Sequence, residues 1–309
     1  MSFSLKRILI IVLLSKTPKV YKNKKLNTAN YGNFTHNDYQ VFLHLVSKIG
    51  GIDEVGKYLQ PEQLQREHIL TAKEFSAVFN TDIDNSYRYL KKAVDKLIKT
   101  DIRVERPESQ SIVRINICSQ AEYTKREGRI TIQFTDSIMP YLAQVRKKFV
   151  LYNLKEISSF NSLYTTRLYE LLQEFKDTGY MLKSVEKLRE IFAVGDKFKK
   201  YNHFKKRTFE HACKEINNNH ELNLGYEELK EGRKVVAIKF VFTKTRIHKV
   251  VNPKTGIEKN YYIKPKQKKK IIKTSSPDIL EGQLAFTDIK KEPKPIQGIL
   301  SKVLSKFKY

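Results

Sequence analysis

The sequence predicts an α+β fold: two tandem winged-helix units followed by a flexible basic C-terminal tail. Three observations predict it. First, Thr71-Ala-Lys-Glu74-Phe75-Ser-Ala-Val78-Phe79 and Ser184-Val-Glu-Lys187-Leu188-Arg-Glu-Ile191-Phe192 align at an offset of 113, each with a capping hydroxyl ahead of apolar residues at i, i+3 and i+4. Second, Arg88, Leu90, Ala93 and Leu97 align with Arg207, Phe209, Ala212 and Ile216 at an offset of 119, so the second copy carries six more residues between its helices. Third, β-type runs follow each helix pair: Ile102–Glu105, Ser111–Cys118 and Arg129–Phe134, then Glu221–Tyr226 and Lys234–Phe242.

Taken in order, residues 1–27 are expected to form a disordered arm. Lys6-Arg7 ahead of Ile8–Leu14 has the look of an export signal, but the apolar run is seven residues and Ser15-Lys16-Thr17-Pro18 offers no small-residue cleavage site. It is also far too short to span a bilayer, so a cytoplasmic protein is expected. The first unit, 28–150, opens on a helix striped by Tyr39, Phe42, Leu43, Val46 and Ile49. A long connection, Gly50–Ile69, leads to the helix pair, and the β segments after it form the wing. Asp136–Lys147 reads as a short helix despite Pro140, and Phe149–Phe160 as the connector between units. The second unit, 151–245, opens on Ser162–Asp177 with Tyr164, Leu168, Leu171, Leu172 and Phe175 on one face, and stops at Gly179. Its helix pair is Ser184–Val194 and about Asn202–Asn217, and its wing runs to about Lys244. Residues 246–309 carry 16 Lys/Arg against 5 acidic residues, densest at Lys264–Lys270, with scattered prolines. That composition predicts flexibility, with a marginal helix at Gly298–Phe307.

At 309 residues the chain has room for two domains of about 100 residues each plus tails. Lys+Arg at 59 against Asp+Glu at 33 leaves a net charge of +26. Such an excess opposes compaction by self-repulsion and points to a polyanionic partner. Because the charge is spread over folded region and tail instead of lying on one amphipathic helix, nucleic acid fits better than a membrane surface. Cys118 and Cys213 fall in different units, which suits buried thiols in a reducing compartment better than a disulfide. The seven histidines have no metal-ligand spacing, so neither a metal nor a cofactor is expected.

Two enzymatic readings fail on their residues. Gly51-Ile-Asp-Glu-Val-Gly56-Lys57-Tyr58 nearly spells a phosphate-binding loop, but a helical stripe precedes it and Tyr58 stands where a Ser/Thr hydroxyl must hold magnesium. Rolling-circle nicking by a tyrosine needs a metal held by close histidines, and none are adjacent or alternating. Asp82 and Asp84 sit between the helices and are better suited to starting the second helix than to holding magnesium. A non-enzymatic protein is expected.

Contact with double-stranded DNA is the coherent reading. Lys199, Lys200, Asn202, His203, Lys205, Lys206 and Arg207 crowd the turn and first part of the second unit's second helix, where recognition helices meet base edges. Arg233 and Lys234 lie at its wing hairpin. In the first unit Ser86, Arg88, Lys91 and Lys92 occupy the comparable helix, and Arg103 is expected to begin the wing. The bland alternative, solvated helix faces, is weakened by register: in both copies the charges precede or oppose the Leu90/Leu97 and Phe209/Ile216 stripes.

These stretches together resemble the plasmid replication initiator (Rep) family that binds iterons, the short direct repeats of an origin. The matching segments are 70–97 (LTAKEFSAVFNTDIDNSYRYLKKAVDKL), 128–154, 162–175, 188–217 (LREIFAVGDKFKKYNHFKKRTFEHACKEIN) and the wing stretch 230–240, covering about 28–245. The resemblance implies that the second unit reads the iteron through Asn202–Asn217. It implies that the first unit adds DNA contacts in a monomer or serves as a homodimer surface, with Arg167-Leu168-Tyr169-Glu170 as a family stretch in which Arg167 is paired or phosphate-facing. It further implies origin opening, recruitment of a host DnaA-type initiator and replicative helicase, and repression of the gene's own operator by dimers. A transcriptional regulator of the same fold, without origin melting, is the rival. In the tail, Gln283-Leu284-Ala285-Phe286 resembles a shortened sliding-clamp-binding peptide, though an incidental apolar patch is the better account of so short a match.

Overall fold

A computed structural model describes residues 18–32, 34–50, 59–106, 109–143, 149–220, 222–243, 246–251 and 258–263. The Gly51–Tyr58 loop, the Lys264–Lys270 run, Gln283–Phe286 and Gly298–Phe307 lie outside them. The described residues divide into two compact units. One runs through Glu174 and takes in Arg189–Ala212; the other holds Phe175–Leu188 and resumes at Cys213.

The first unit begins earlier than the composition suggests. Strand β1 (Lys19–Asn23) leads into helix α1 (Lys24–Thr28), where the Asn23 side chain accepts from the Lys25 amide at 3.0 Å. Strand β1 pairs antiparallel with β7 (Phe149–Asn153), from Lys19↔Asn153 to Asn23↔Phe149. The expected arm 1–27 is therefore structured over its last third; residues 1–17 lie outside the described residues. Val20, Lys22, Leu26 and Asn27 are buried there, in part by partners more than a hundred positions away, β7 and Glu170, that local periodicity cannot show. Pairing with β1 also makes 149–153 part of this unit instead of a connector. Helix α2 (His36–Lys48) starts at a reciprocal Thr35/Asp38 capping box and buries Tyr39, Phe42, Leu43 and Val46, as its stripe predicts.

The first helix pair follows strand β2 (Glu67–Thr71), which begins within the expected connection. Helix α3 (Ala72–Phe79) carries the predicted Thr71 cap, completed by Glu74, and α4 (Ile83–Lys99) buries Leu90, Ala93 and Leu97. Two hairpins come next. Strands β3 (Asp101–Arg106) and β4 (Ser111–Asn116) form a two-stranded sheet of their own, while β5 (Cys118–Thr124) and β6 (Arg129–Phe134) join β2 in the order β2-β6-β5. The wing is therefore the second hairpin, and β3–β4 is an insertion that the copy-to-copy comparison does not reveal. Of the expected helix at Asp136–Lys147, Met139–Leu142 is helical (α5), and 144–147 lie outside the described residues. Helix α6 (Leu163–Gln173) follows in the same unit. Phe75, Phe134 and Leu90 are fully buried, each contributing about 2–3 kcal/mol by area.

The second copy of the motif repeats the plan. Strand β8 (Tyr180–Ser184) precedes α7 (Val185–Ile191), and the Ser184 hydroxyl accepts from the Lys187 amide at 3.1 Å, the predicted cap. Strands β9 (Gly225–Glu231) and β10 (Lys234–Val241) form the wing, and the sheet order β8-β10-β9 mirrors β2-β6-β5. Gly179 bends into β8 at φ +75, its carbonyl accepting from Phe242 at 2.9 Å. The second helix is not continuous: α8 (Tyr201–Arg207) and α9 (Phe209–Asn219) meet at Thr208. The linker from Ile191 to Tyr201 is nine residues against three from Phe79 to Ile83, the predicted excess of six. Beyond the wing, β11 (Arg246–Val251) and β12 (Glu258–Ile263) pair antiparallel, so the tail expected to be flexible from 246 begins with a hairpin. Its β-branched and aromatic runs, Ile247 with Val250-Val251 and Tyr261-Tyr262-Ile263, supply strand propensity that the bulk composition hides.

Candidate nucleic-acid interface

In the first unit Asp82 caps α4, its carboxylate accepting from the Asp84 and Asn85 amides at 2.9 and 3.1 Å, the helix-starting role expected of it. Ser86 does not reach the surface. It is fully buried and its hydroxyl donates to the Asp82 carbonyl at 2.9 Å, so it tightens the first turn and is removed from the DNA-facing set. Arg88, Lys91 and Lys92 are exposed on α4, with Arg88 bonded to Asn85 and lying 6.0 Å from the Tyr89 ring centre. Arg103 is exposed too, but on the inserted hairpin, where its backbone bridges Asn30. It does not begin the wing, because α4 is followed by the insertion and not by the wing.

The first wing turns through Lys125-Arg126-Glu127-Gly128, with Glu127 and Gly128 amides donating back to Thr124 and Lys125. Gly128 has φ +58, and its carbonyl accepts from the Ala72 amide at 2.9 Å, fastening the turn to the start of α3. A Cβ at this position would sit 2.0 Å from the Tyr87 ring of α4. Lys125 and Arg126 are exposed at this turn and fall outside the residues expected from the sequence. A signal exists: Glu127-Gly128-Arg129 recurs as Glu231-Gly232-Arg233 in the second wing, where Gly232 also has φ +58. Both turns need the left-handed residue that glycine supplies.

In the second copy Lys199, Lys200, Asn202, His203, Lys206 and Arg207 are exposed, and Lys205 is half-buried. On α8 only Phe204 is buried. The break after Arg207 has a local cause. Thr208 is buried, its hydroxyl donates to the Phe204 carbonyl at 2.7 Å, and its backbone sits at φ −117, ψ −99. Hydroxyl back-bonding of this kind bends helices. The expected single helix is thus an exposed basic half and a packed half, the latter burying Phe209, Ala212, Cys213 and Ile216. Arg233 and Lys234 are exposed at the second wing turn.

Arg167 is paired, not phosphate-facing. It is buried and donates to the carbonyls of Leu26 (3.3 Å), Asn27 (2.6 Å) and Ala29 (2.8 Å) and to the Tyr39 hydroxyl (2.8 Å), closing the end of α1. Glu170 accepts from Tyr39 at 2.5 Å and Tyr152 at 2.6 Å and pairs with buried Lys22 at 2.5 Å. Burial pulls the Lys22 ammonium down to about 8 against the opposing pull of Glu170, and burial raises Tyr39 and Tyr152 well above the usual phenol range. Burial likewise pushes the Cys118 thiol up to about 12, an inert core cysteine. Among the described residues no group of three or more His, Cys, Asp or Glu could hold a metal ion, and no helix is long and apolar enough to cross a membrane.

Two helix pairs, each with an exposed basic second helix and a basic wing turn, define a tandem winged-helix protein of the DNA-reading class. The first-domain model of the initiator replication proteins (Initiator Replication protein, WH1) matches residues 19–173, and the second-domain model (Initiator Rep protein, WH2) matches 184–242. The chain belongs to the initiator replication protein family. It is 26% identical over 153 residues to a replication initiation protein of Escherichia coli, covering 50% of this chain and 46% of that one. It is 28% identical over 146 residues to the PI protein of Escherichia coli, covering 41% of this chain and 48% of that one. The matches thus span about half the length of these relatives. Among solved structures, the Pi initiator protein in complex with iteron DNA aligns at a TM-score of 0.60 and 21% identity, covering 74% of this chain and 98% of that chain. At that identity the likeness is one of fold.

Proposed function

We propose that this chain is a non-enzymatic, cytoplasmic replication initiator that binds the iterons of a plasmid origin, opens the origin and recruits a host initiator and helicase. As a homodimer it represses its own operator. The observation that supports this most is that each copy exposes basic residues both on its second helix and at its wing turn, Lys199–Arg207 and Arg233-Lys234 in one, Arg88–Lys92 and Lys125-Arg126 in the other, in a member of the initiator replication family. A solved relative of this fold is a Pi initiator bound to iteron DNA. Exposed arginines and lysines at a helix N-terminus supply donors for guanine O6 and N7, and those at the wings supply phosphate contacts.

The test is incubation of the full-length protein with a supercoiled plasmid carrying the DNA upstream of its reading frame, with magnesium. Permanganate-reactive unpaired bases without a nick are expected. Protection without melting would make it a transcriptional regulator, and a covalent 5′-phosphotyrosine would make it a nickase.

A further inference from the structure

The six residues that the second copy adds between its helices need something to hold them. In the first copy a three-residue turn suffices, closed by the Asp82 cap; in the second, Lys200 precedes α8 and makes no side-chain capping bond. The longer turn also carries Ala193 (φ 49), Gly195 (φ 52) and Phe198 (φ 57) in the left-handed region, two of them residues with a Cβ that resists it. Into this turn reaches Arg189, from α7. Its Nη2 donates to the carbonyls of Phe198 at 2.7 Å and Lys199 at 3.2 Å, and its Nη1 approaches that of Lys197 at 3.5 Å. The guanidinium lies 4.4 Å from the centre of the Phe204 ring, the buried anchor of α8. One planar fork thus gathers three successive carbonyls and rests on the helix they introduce, a geometry that lysine, a point donor, cannot reproduce.

We infer that Arg189 is the positioning residue of the second recognition helix: it fixes the direction in which Lys199, Lys200 and the exposed face of α8 meet DNA. The inference rests on the DNA-reading role proposed above. Its consequence is that Arg189 governs discrimination between sequences more than overall affinity. Base contacts fail when a helix shifts by an ångström or so, whereas phosphate contacts on flexible side chains tolerate the shift.

The test uses full-length protein and two duplexes: one selected by the wild type from a randomised pool, and one random. Arg189→Met keeps the aliphatic contact with Phe204 and removes the donors; Arg189→Lys keeps the charge. Both are expected to lose at least about tenfold in the ratio of selected to random affinity, with random-DNA affinity within about twofold and an unchanged salt slope. Amide exchange at Lys199–Phe204 is expected to accelerate in both variants, a readout independent of DNA. An unchanged ratio overturns the inference. So does equal weakening on both duplexes with the salt slope lowered by about one, which would make Arg189 a phosphate-binding residue. If Arg189→Met fails to fold, Arg189→Lys decides, and full wild-type discrimination in that variant overturns the inference. If the wild type selects no sequence, the DNA-reading proposal fails, and unaltered exchange in the variants is then what overturns the positioning role.

Discussion

Lys22, Arg167 and Glu170 place two cations and one carboxylate in a dry interior, so Glu170 carries the balance of the cluster. Glu170→Ala is expected to destabilise the protein by roughly 3–5 kcal/mol in urea titrations, because it leaves buried cations unpaired. Lys22 adds a pH dependence of definite sign. Held at about 8 when folded against 10.5 in the open chain, it binds fewer protons in the native state between those values. Its contribution is therefore fully present above 10.5 and lost as the pH falls through 8. From pH 7 to 9.5 stability should rise by roughly 2 kcal/mol more in the wild type than in Lys22→Met, compared by denaturant unfolding at each pH. On the proposed DNA-contacting face, Arg207→Ala is expected to weaken binding to the selected site by about 1–3 kcal/mol with little effect on random DNA, whereas Lys200→Ala should weaken both alike. Competition binding at fixed salt separates the two patterns. Most of the exposed basic residues are legible in the sequence because charge opposite an apolar stripe reports a helix face. Ser86 misleads because a hydroxyl one turn into a helix serves its own backbone as readily as a ligand.

The wing turns are legible only in part. Period-two patterning locates β6 and β10, but it cannot say which of four successive strands pairs with β2, so the inserted β3–β4 hairpin passes for the start of the wing. The same limit hides the break at Thr208, since a buried threonine keeps the helical stripe while bending the backbone. The two glycines at φ +58 allow a paired comparison. Gly232→Ala meets nothing within 4 Å and should cost only the left-handed backbone penalty, about 1–2 kcal/mol. Gly128→Ala also drives its Cβ into Tyr87, and should cost roughly 3 kcal/mol. Adding Tyr87→Ser to Gly128→Ala should return the excess. Thermal unfolding of the four proteins checks it.

Over the whole chain, the tandem plan and its charge can be read from the sequence, but the strand and helix at Lys19–Thr28 cannot. The N-terminal segment is short and half polar, and its order comes from β7 and α6, which lie far along the chain. The surplus of cations past the second wing, 16 against 5, makes a separate expectation. Deleting 246–309 should lower affinity for random DNA and flatten its dependence on salt, by about one unit of slope for every phosphate the shortened protein no longer neutralises, while the preferred site stays the same. A shifted site preference in a selection experiment would show that this region takes part in reading sequence.

The pairing of Lys19–Asn23 with Phe149–Asn153, and the capture of α1 by Arg167, have a consequence in time. During synthesis the first strand leaves the ribosome long before either of its partners exists. At about 5–20 residues per second, the delay is roughly 7–30 seconds. Until then Lys22 stays solvated, and the first unit cannot close. Its helix pair and wing, built from nearer neighbours, can form first, so a nascent chain would hold a finished DNA-reading module before its own amino-terminal segment has found its place.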